Sequence, residues 1–134
     1  MITRSKDKRR GFTLVEIMIV VAIIALLAAI TVPGWLRARK RSQATRVVND
    51  LRLIDSAVDQ YAVENAKTTG ATVNTTDWTQ YMKRGSPLYN TGNDLFGNPY
   101  GVQTVDNLPK VPQAAWNSLS DIAGTEFFSP YGHF

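Results

Sequence analysis

The fold turns on Arg9-Arg10-Gly11-Phe12-Thr13-Leu14-Val15-Glu16 and on the run behind it, Ile17 to Leu36, which reads IMIVVAIIALLAAITVPGWL. No residue of that run carries a charge. As a helix it is about 30 Å long, the thickness of a bilayer's hydrocarbon core. A buried core helix can be equally apolar. A chain of 134 residues, however, forms one small domain at most and has little protein with which to cover a helix that is apolar all round. The run reads as a membrane-spanning segment.

Upstream of it, Arg4, Lys6, Lys8, Arg9 and Arg10 stand against the single acid Asp7. Residues 1–11 thereby account for the whole formal charge of +4, and the rest of the chain balances at ten basic and ten acidic residues. The basic character belongs to this leader and is no sign of a nucleic-acid-binding face. A secretory signal also joins a basic start to an apolar core, but it is cut behind that core at a small-x-small site. Ala28-Ala29-Ile30 imitates such a site, yet no change to mature-domain character follows it. The unusual residues lie in front of the run.

Those residues closely resemble the signature of the type IV pilin and type II secretion pseudopilin superfamily: a short basic leader ending in Gly, then Phe-Thr-Leu-Val/Ile-Glu and about twenty apolar residues. Gly11, Phe12, Thr13, Leu14, Val15 and Glu16 match it throughout, and the resemblance covers roughly residues 1–40. It implies cleavage by prepilin peptidase between Gly11 and Phe12 and N-methylation of the new terminus, Phe12. It further implies a leader on the cytoplasmic side of the bacterial inner membrane, a single pass, and a body on the periplasmic side, assembled into a filament with copies of itself and related subunits on an inner-membrane platform. Pro33 falls where the family often has a proline kinking its long helix.

Elementary chemistry agrees. Glycine before the cut leaves backbone unobstructed for a protease, and the leader cations favour cytoplasmic retention. Glu16 needs explaining, because a carboxylate inside a membrane helix costs about 2.5–3.5 kcal/mol at mid-bilayer, less near an end, and usually marks function. Cleavage would supply its partner, a Phe12 α-amine that is positive at its ordinary pKa. Phe12 and Glu16 of one chain are a turn apart and can pair; the resemblance implies instead that Glu16 meets the Phe12 amine of a neighbouring subunit. A plainer reading is an acid at a helix start, where the macrodipole welcomes it. Ala22, Ala25 and Ala29 share a face that would let helices approach closely, although alanine is common in any membrane helix.

Pro33-Gly34 either ends the membrane helix or kinks a longer one. The resemblance implies a continuous, bent helix of about 55 residues, near 80 Å long. Arg37, Arg39, Lys40 and Arg41 follow, suited to lipid headgroups or to acids of a neighbouring subunit; without interleaved aromatics they make a weak nucleic-acid site. Beyond them Val47, Leu51, Ile54, Val58 and Tyr61, with Val48 and Ala62 beside them, form one apolar stripe. Arg46 with Asp50, and Arg52 with Asp55, are spaced for ion pairs on its polar side. A coiled coil would need more heptads.

The remainder, rich in Gly, Pro, Asn and Thr, predicts a small, loop-rich cap. Thr76 is placed to cap a helix over 77–83 stopped by Gly85, and residues 100–105 and 126–128 are strand candidates. The expected fold is α+β: a long amino-terminal helix packed on a small antiparallel-sheet cap. Its parts are the leader 1–11, the transmembrane and assembly helix 12–36, the amphipathic helix 37–67 and the cap 68–134.

Asp94-Leu95-Phe96-Gly97-Asn98-Pro99-Tyr100 resembles a segment of major pseudopilins, and in some relatives calcium holds the nearby loop. Asn93, Asp94, Asp106 and Asp121 offer oxygen ligands, but in no recognisable calcium-loop spacing, so no metal or cofactor is expected beyond this weak possibility. The plainer reading is a Gly-Asn-Pro turn with Phe96 and Tyr100 packed inward. Phe127 to Tyr131 read as an aromatic lid on the helix stripe, and His133 as an exposed tail residue.

With no cysteine, one histidine, no phosphate loop and no nucleophile elbow, enzyme chemistry has almost no support, and Asp55 and Asp59 read as a solvated helix face. The expected function is structural: a self-assembling type II secretion pseudopilus subunit. Its alternative is a type IV pilus subunit, major or minor, acting in adhesion or DNA uptake, although the cap's mild acidity speaks against DNA.

Overall fold

The structure, a computed structural model, describes residues 11–134; the basic residues of the expected leader before Gly11 lie outside them. The chain divides into two compact units, one ending at Leu36 and the other spanning Arg37–Phe134. One helix, α1 (Leu14–Glu64), contributes to both, and Pro33 lies inside it. Proline has no N–H to offer the carbonyl of Ala29, yet helical geometry continues through Pro33-Gly34. Two residues before Pro33 the Thr31 hydroxyl donates to the Leu27 carbonyl at 3.0 Å, a back-bond typical of hydroxyl residues within helices.

In the first unit every residue from Gly11 onward is exposed. Leu14, Met18, Leu26 and Ile30 are each more than 60% exposed, so nothing among the described residues covers this aliphatic surface. By length and composition α1 can cross a membrane.

In the second unit the apolar stripe of α1 is buried, as its period of three and four requires. Val47, Leu51, Ile54 and Val58 lie in the core, Ala44 and Ala57 extend the stripe, and Tyr61 packs at its margin. The helix ends at Glu64, short of the expected Lys67. Ala66 adopts positive φ (49°), and the Lys67 N–H donates to the Ala62 carbonyl at 2.9 Å. This is a Schellman ending built without its usual glycine.

The cap has a two-stranded antiparallel sheet, β1 (Thr72–Val73) on β2 (Gln103–Thr104), with Thr72 opposite Thr104. Four short helices accompany it: α2 (Thr75–Thr79), α3 (Pro87–Thr91), α4 (Gln113–Leu119) and α5 (Thr125–Phe128). α2 starts earlier than expected. Asn74, not Thr76, is its N-cap, and the Asp77 carboxylate reaches back to the Asn74 N–H at 3.0 Å. α3 has Ser86 as cap, Pro87 in its first turn and Gly92 behind it at φ 66°. A Cβ on Gly92 would stand 2.6 Å from Thr75 Cγ2, so both conformation and contact require glycine there.

The strand expected at residues 100–105 forms only at Gln103–Thr104, and Glu126–Phe128, a strand candidate by sequence, is helical in α5. A run of three residues carries too little period to separate the two. Trp78, Tyr100 and Phe128 are the largest fully buried side chains. Phe96, expected to pack inward, is 40% exposed, and its neighbour Leu95 packs against the core instead.

Candidate processing and assembly site

The start of α1 is built by Thr13 and Glu16. The Glu16 N–H donates to Thr13 Oγ1 at 3.2 Å, and the Thr13 N–H donates to Glu16 Oε2 at 3.1 Å. This reciprocal pair is a capping box. Its signature, Thr-x-x-Glu before an apolar run, stands in the sequence, where the charge cost of Glu16 overshadows it. The box fixes where helix begins, so Gly11 and Phe12 precede it in non-helical backbone. Among the described residues, and apart from its chain neighbours, no heavy atom lies within 4 Å of a Cβ placed on Gly11, and Phe12 is 84% exposed. The Gly11–Phe12 bond therefore lies in open, non-helical chain beside a capped helix. A carboxylate has about four lone-pair sites, so the capping bond to Oε2 leaves Glu16 room to accept from an amine as well.

The other candidates lie in the second unit and are held apart by separate partners. Asp94 is buried; its Oδ1 accepts the N–H groups of Phe96 and Asn98, both at 2.8 Å, while the Asn98 amide donates to Oδ2 at 3.1 Å. The carboxylate is thus spent on its own turn, which Gly97 completes at φ 85°. Asp106 accepts from the Thr69 hydroxyl. Asn93 donates its N–H to Thr91 Oγ1 at 3.2 Å. Asp121 pairs with Lys40 at 2.6 Å, and that contact holds its carboxyl below the usual range. Among the described residues no three acidic, histidine or cysteine side chains stand close enough to hold a metal ion.

Lys40 therefore has an acid within its own chain, whereas the sequence suggests a basic cluster facing lipid or a neighbour. Asp50 departs further from expectation. Instead of lying on the polar side of α1 it is buried, and Tyr100 Oη donates to its Oδ2 at 3.2 Å. Burial pushes the Asp50 carboxyl up, against the pull of the Tyr100 hydroxyl and of Arg46, and nearby Asp94 adds to the rise. Tyr100 is itself pushed far up by burial and by the two carboxylates. The Tyr100 at the end of the Gly-Asn-Pro-Tyr segment thus ties that turn to α1. His133 is exposed, but its ring stacks on Trp116 at 4.1 Å between centroids, 16° from parallel.

Comparison with known proteins bears on the first of these regions. A family profile described as the prokaryotic N-terminal methylation motif matches residues 6–32. The type II secretion system core protein G of Escherichia coli (strain K12) is 39% identical over 62 residues, 46% of this chain and 43% of that protein. That of Klebsiella pneumoniae is 37% identical over 61 residues, 46% of this chain and 44% of that protein. Fimbrial protein Q of Moraxella bovis is 49% identical over 53 residues, 40% of this chain and 34% of the relative. The chain thus spans less than half the length of these curated relatives. No solved structure matches it. Gly11, Phe12 and the Thr13–Glu16 box lie inside the matched motif, and over that amino-terminal segment the chain is similar to the type II secretion core protein G and to a fimbrial protein.

Proposed function

We propose that this chain is a structural subunit of a type II secretion pseudopilus, inserted in the inner membrane as a precursor with its leader cytoplasmic and its cap periplasmic. Prepilin peptidase cuts it after Gly11 and methylates the Phe12 amine, and the mature subunits polymerise through their apolar helices. The observation that carries this reading is the capped start of α1, with the Gly11–Phe12 bond lying open in front of it and uncovered aliphatic surface behind it.

Glu16 has two tasks in this reading. It caps its own helix, and it accepts the charged Phe12 amine of a neighbouring subunit. In a low-dielectric surround such a pair is much stronger than in water and penalises a wrong register. Cleavage leaves the Thr13 N–H in place, so the box survives processing and holds the carboxylate beside the new terminus.

The likeness to fimbrial protein Q supports a second reading, a type IV pilus subunit, because the shared segment is common to both kinds of filament. The Gly-Asn-Pro-Tyr turn and the absence of cysteine favour the secretion system. The test is Glu16→Ala expressed beside wild type. The variant is expected to be cleaved and membrane-bound yet absent from sheared filaments; normal incorporation removes the assembly role of Glu16.

A further inference from the structure

We propose that the cleft between the Arg46–Gln60 flank of α1 and the α2–α3 segment seats the Val63 corner of a second copy of this chain, an inference that rests on the filament reading above. The cleft encloses about 320 Å³ and is lined by Leu53, Ala57, Met82 and Leu95, with the exposed cations Arg46 and Lys83 among its walls. Leu53 is 46% exposed there, so an apolar wall faces solvent inside a concave surface, a form that marks a binding groove.

Val63 is its counterpart in exposed apolar character and in charge. It is 83% exposed near the end of α1, and a lone apolar residue on a surface would need no explanation. Its setting singles it out. Asp59 and Asp106 border the same shallow depression, with Lys67 as the cation among them. The exposed charges around Val63 are two acids and one cation, and the exposed charges of the cleft are the cations Arg46 and Lys83, with the Asp50 carboxylate buried behind Arg46; opposite excess charge on two apolar surfaces is the complementarity that fixes register in an interface.

The opposite charges of the two surfaces select another copy as the occupant. Val63 and Leu53 sit ten residues apart on one helix, about 15 Å along its axis, so a chain cannot fold its own knob into its own cleft. Knob and cleft are also different surfaces. Pairing unlike surfaces is heterologous and, where the rotation does not close a ring, generates an open helical series. Parallel copies joined this way are staggered by about 15 Å.

The chain has no cysteine of its own, which allows a clean test. Copies carrying Leu53→Cys and copies carrying Val63→Cys, both exposed positions, are produced together, and the sheared filaments are treated with a short bis-maleimide. The expected main product is the mixed dimer. It should fall to background when Arg46→Glu is added to the Leu53→Cys copy and return when Asp59→Arg is added to the Val63→Cys copy. Filaments that form without the mixed dimer overturn the proposal while leaving the filament reading intact. So does a Leu53→Cys copy whose thiol is shielded from maleimide by something other than Val63. Absence of filaments from unsubstituted chain removes the filament reading, and the proposal with it.

Discussion

Removing the Tyr100 hydroxyl isolates the contact that joins the turn at residues 94–100 to α1. In Tyr100→Phe the ring still fills its fully buried site, and only the bond to Asp50 Oδ2 at 3.2 Å is lost. A hydrogen bond to a charged group contributes about 1.5–3 kcal/mol, and a buried carboxylate deprived of its donor brings out the upper part of that range. For a domain of this size the loss corresponds to a drop in Tm on the order of 10 °C. Asp50→Asn is the matched control, since its amide oxygen can still accept from Tyr100 while the buried charge is gone. Because burial raises the Asp50 carboxyl, the folded state binds that proton more tightly than the unfolded state does. Its contribution to stability is therefore fullest below the ordinary carboxylate pKa and is lost as pH rises through the folded value. Asp50→Asn is accordingly expected to be at least as stable as wild type at pH 7 and to flatten this part of the pH profile. Urea unfolding of the purified full chain in mild detergent, read by tryptophan fluorescence from buried Trp78, measures both variants. If Tyr100→Phe unfolds at the wild-type midpoint, or Asp50→Asn loses as much as Tyr100→Phe, the buried carboxylate is not held as described.

Other substitutions test separate parts of the structure. Gly92→Ala places a methyl group 2.6 Å from Thr75 Cγ2 at φ 66° and is expected to cost about 2–4 kcal/mol, read as a lower urea midpoint. Ala66→Gly relieves the positive φ at the end of α1 and should raise stability by about 1 kcal/mol, which thermal unfolding would register. Thr13→Val removes one half of the capping box; it is expected to weaken the first turn by about 1 kcal/mol, seen as faster amide exchange at Val15 and Glu16 while the urea midpoint of the cap is unchanged. Gly11→Leu should leave the leader attached, visible as a heavier intact mass in membranes.

What is legible in the sequence follows from where its periods are long. The stripe through Val47, Leu51, Ile54 and Val58 repeats over about three turns, so it reads as a buried face, and the core is built on it. The apolar run is equally plain. The cap is harder, because its elements span only two to seven residues, too few for period to outweigh tertiary contacts. α3 escapes a reading by period although Ser86, Pro87 and Gly92 frame it with the usual start and stop residues. Asp50 is misleading because a charged residue between apolar positions reads as solvated, and only the distant Tyr100 makes its burial tolerable. At the proposed processing site the motif is readable letter by letter, yet the capping bond of Glu16 hides behind the larger question of its charge.

The most direct test of the central claim is the intact mass of the chain taken from native filaments or membranes, with fragmentation of its first residues. The account predicts a chain that begins at Phe12 and carries one methyl group on its amine. A chain that retains residues before Phe12, or begins behind the apolar run, would contradict it.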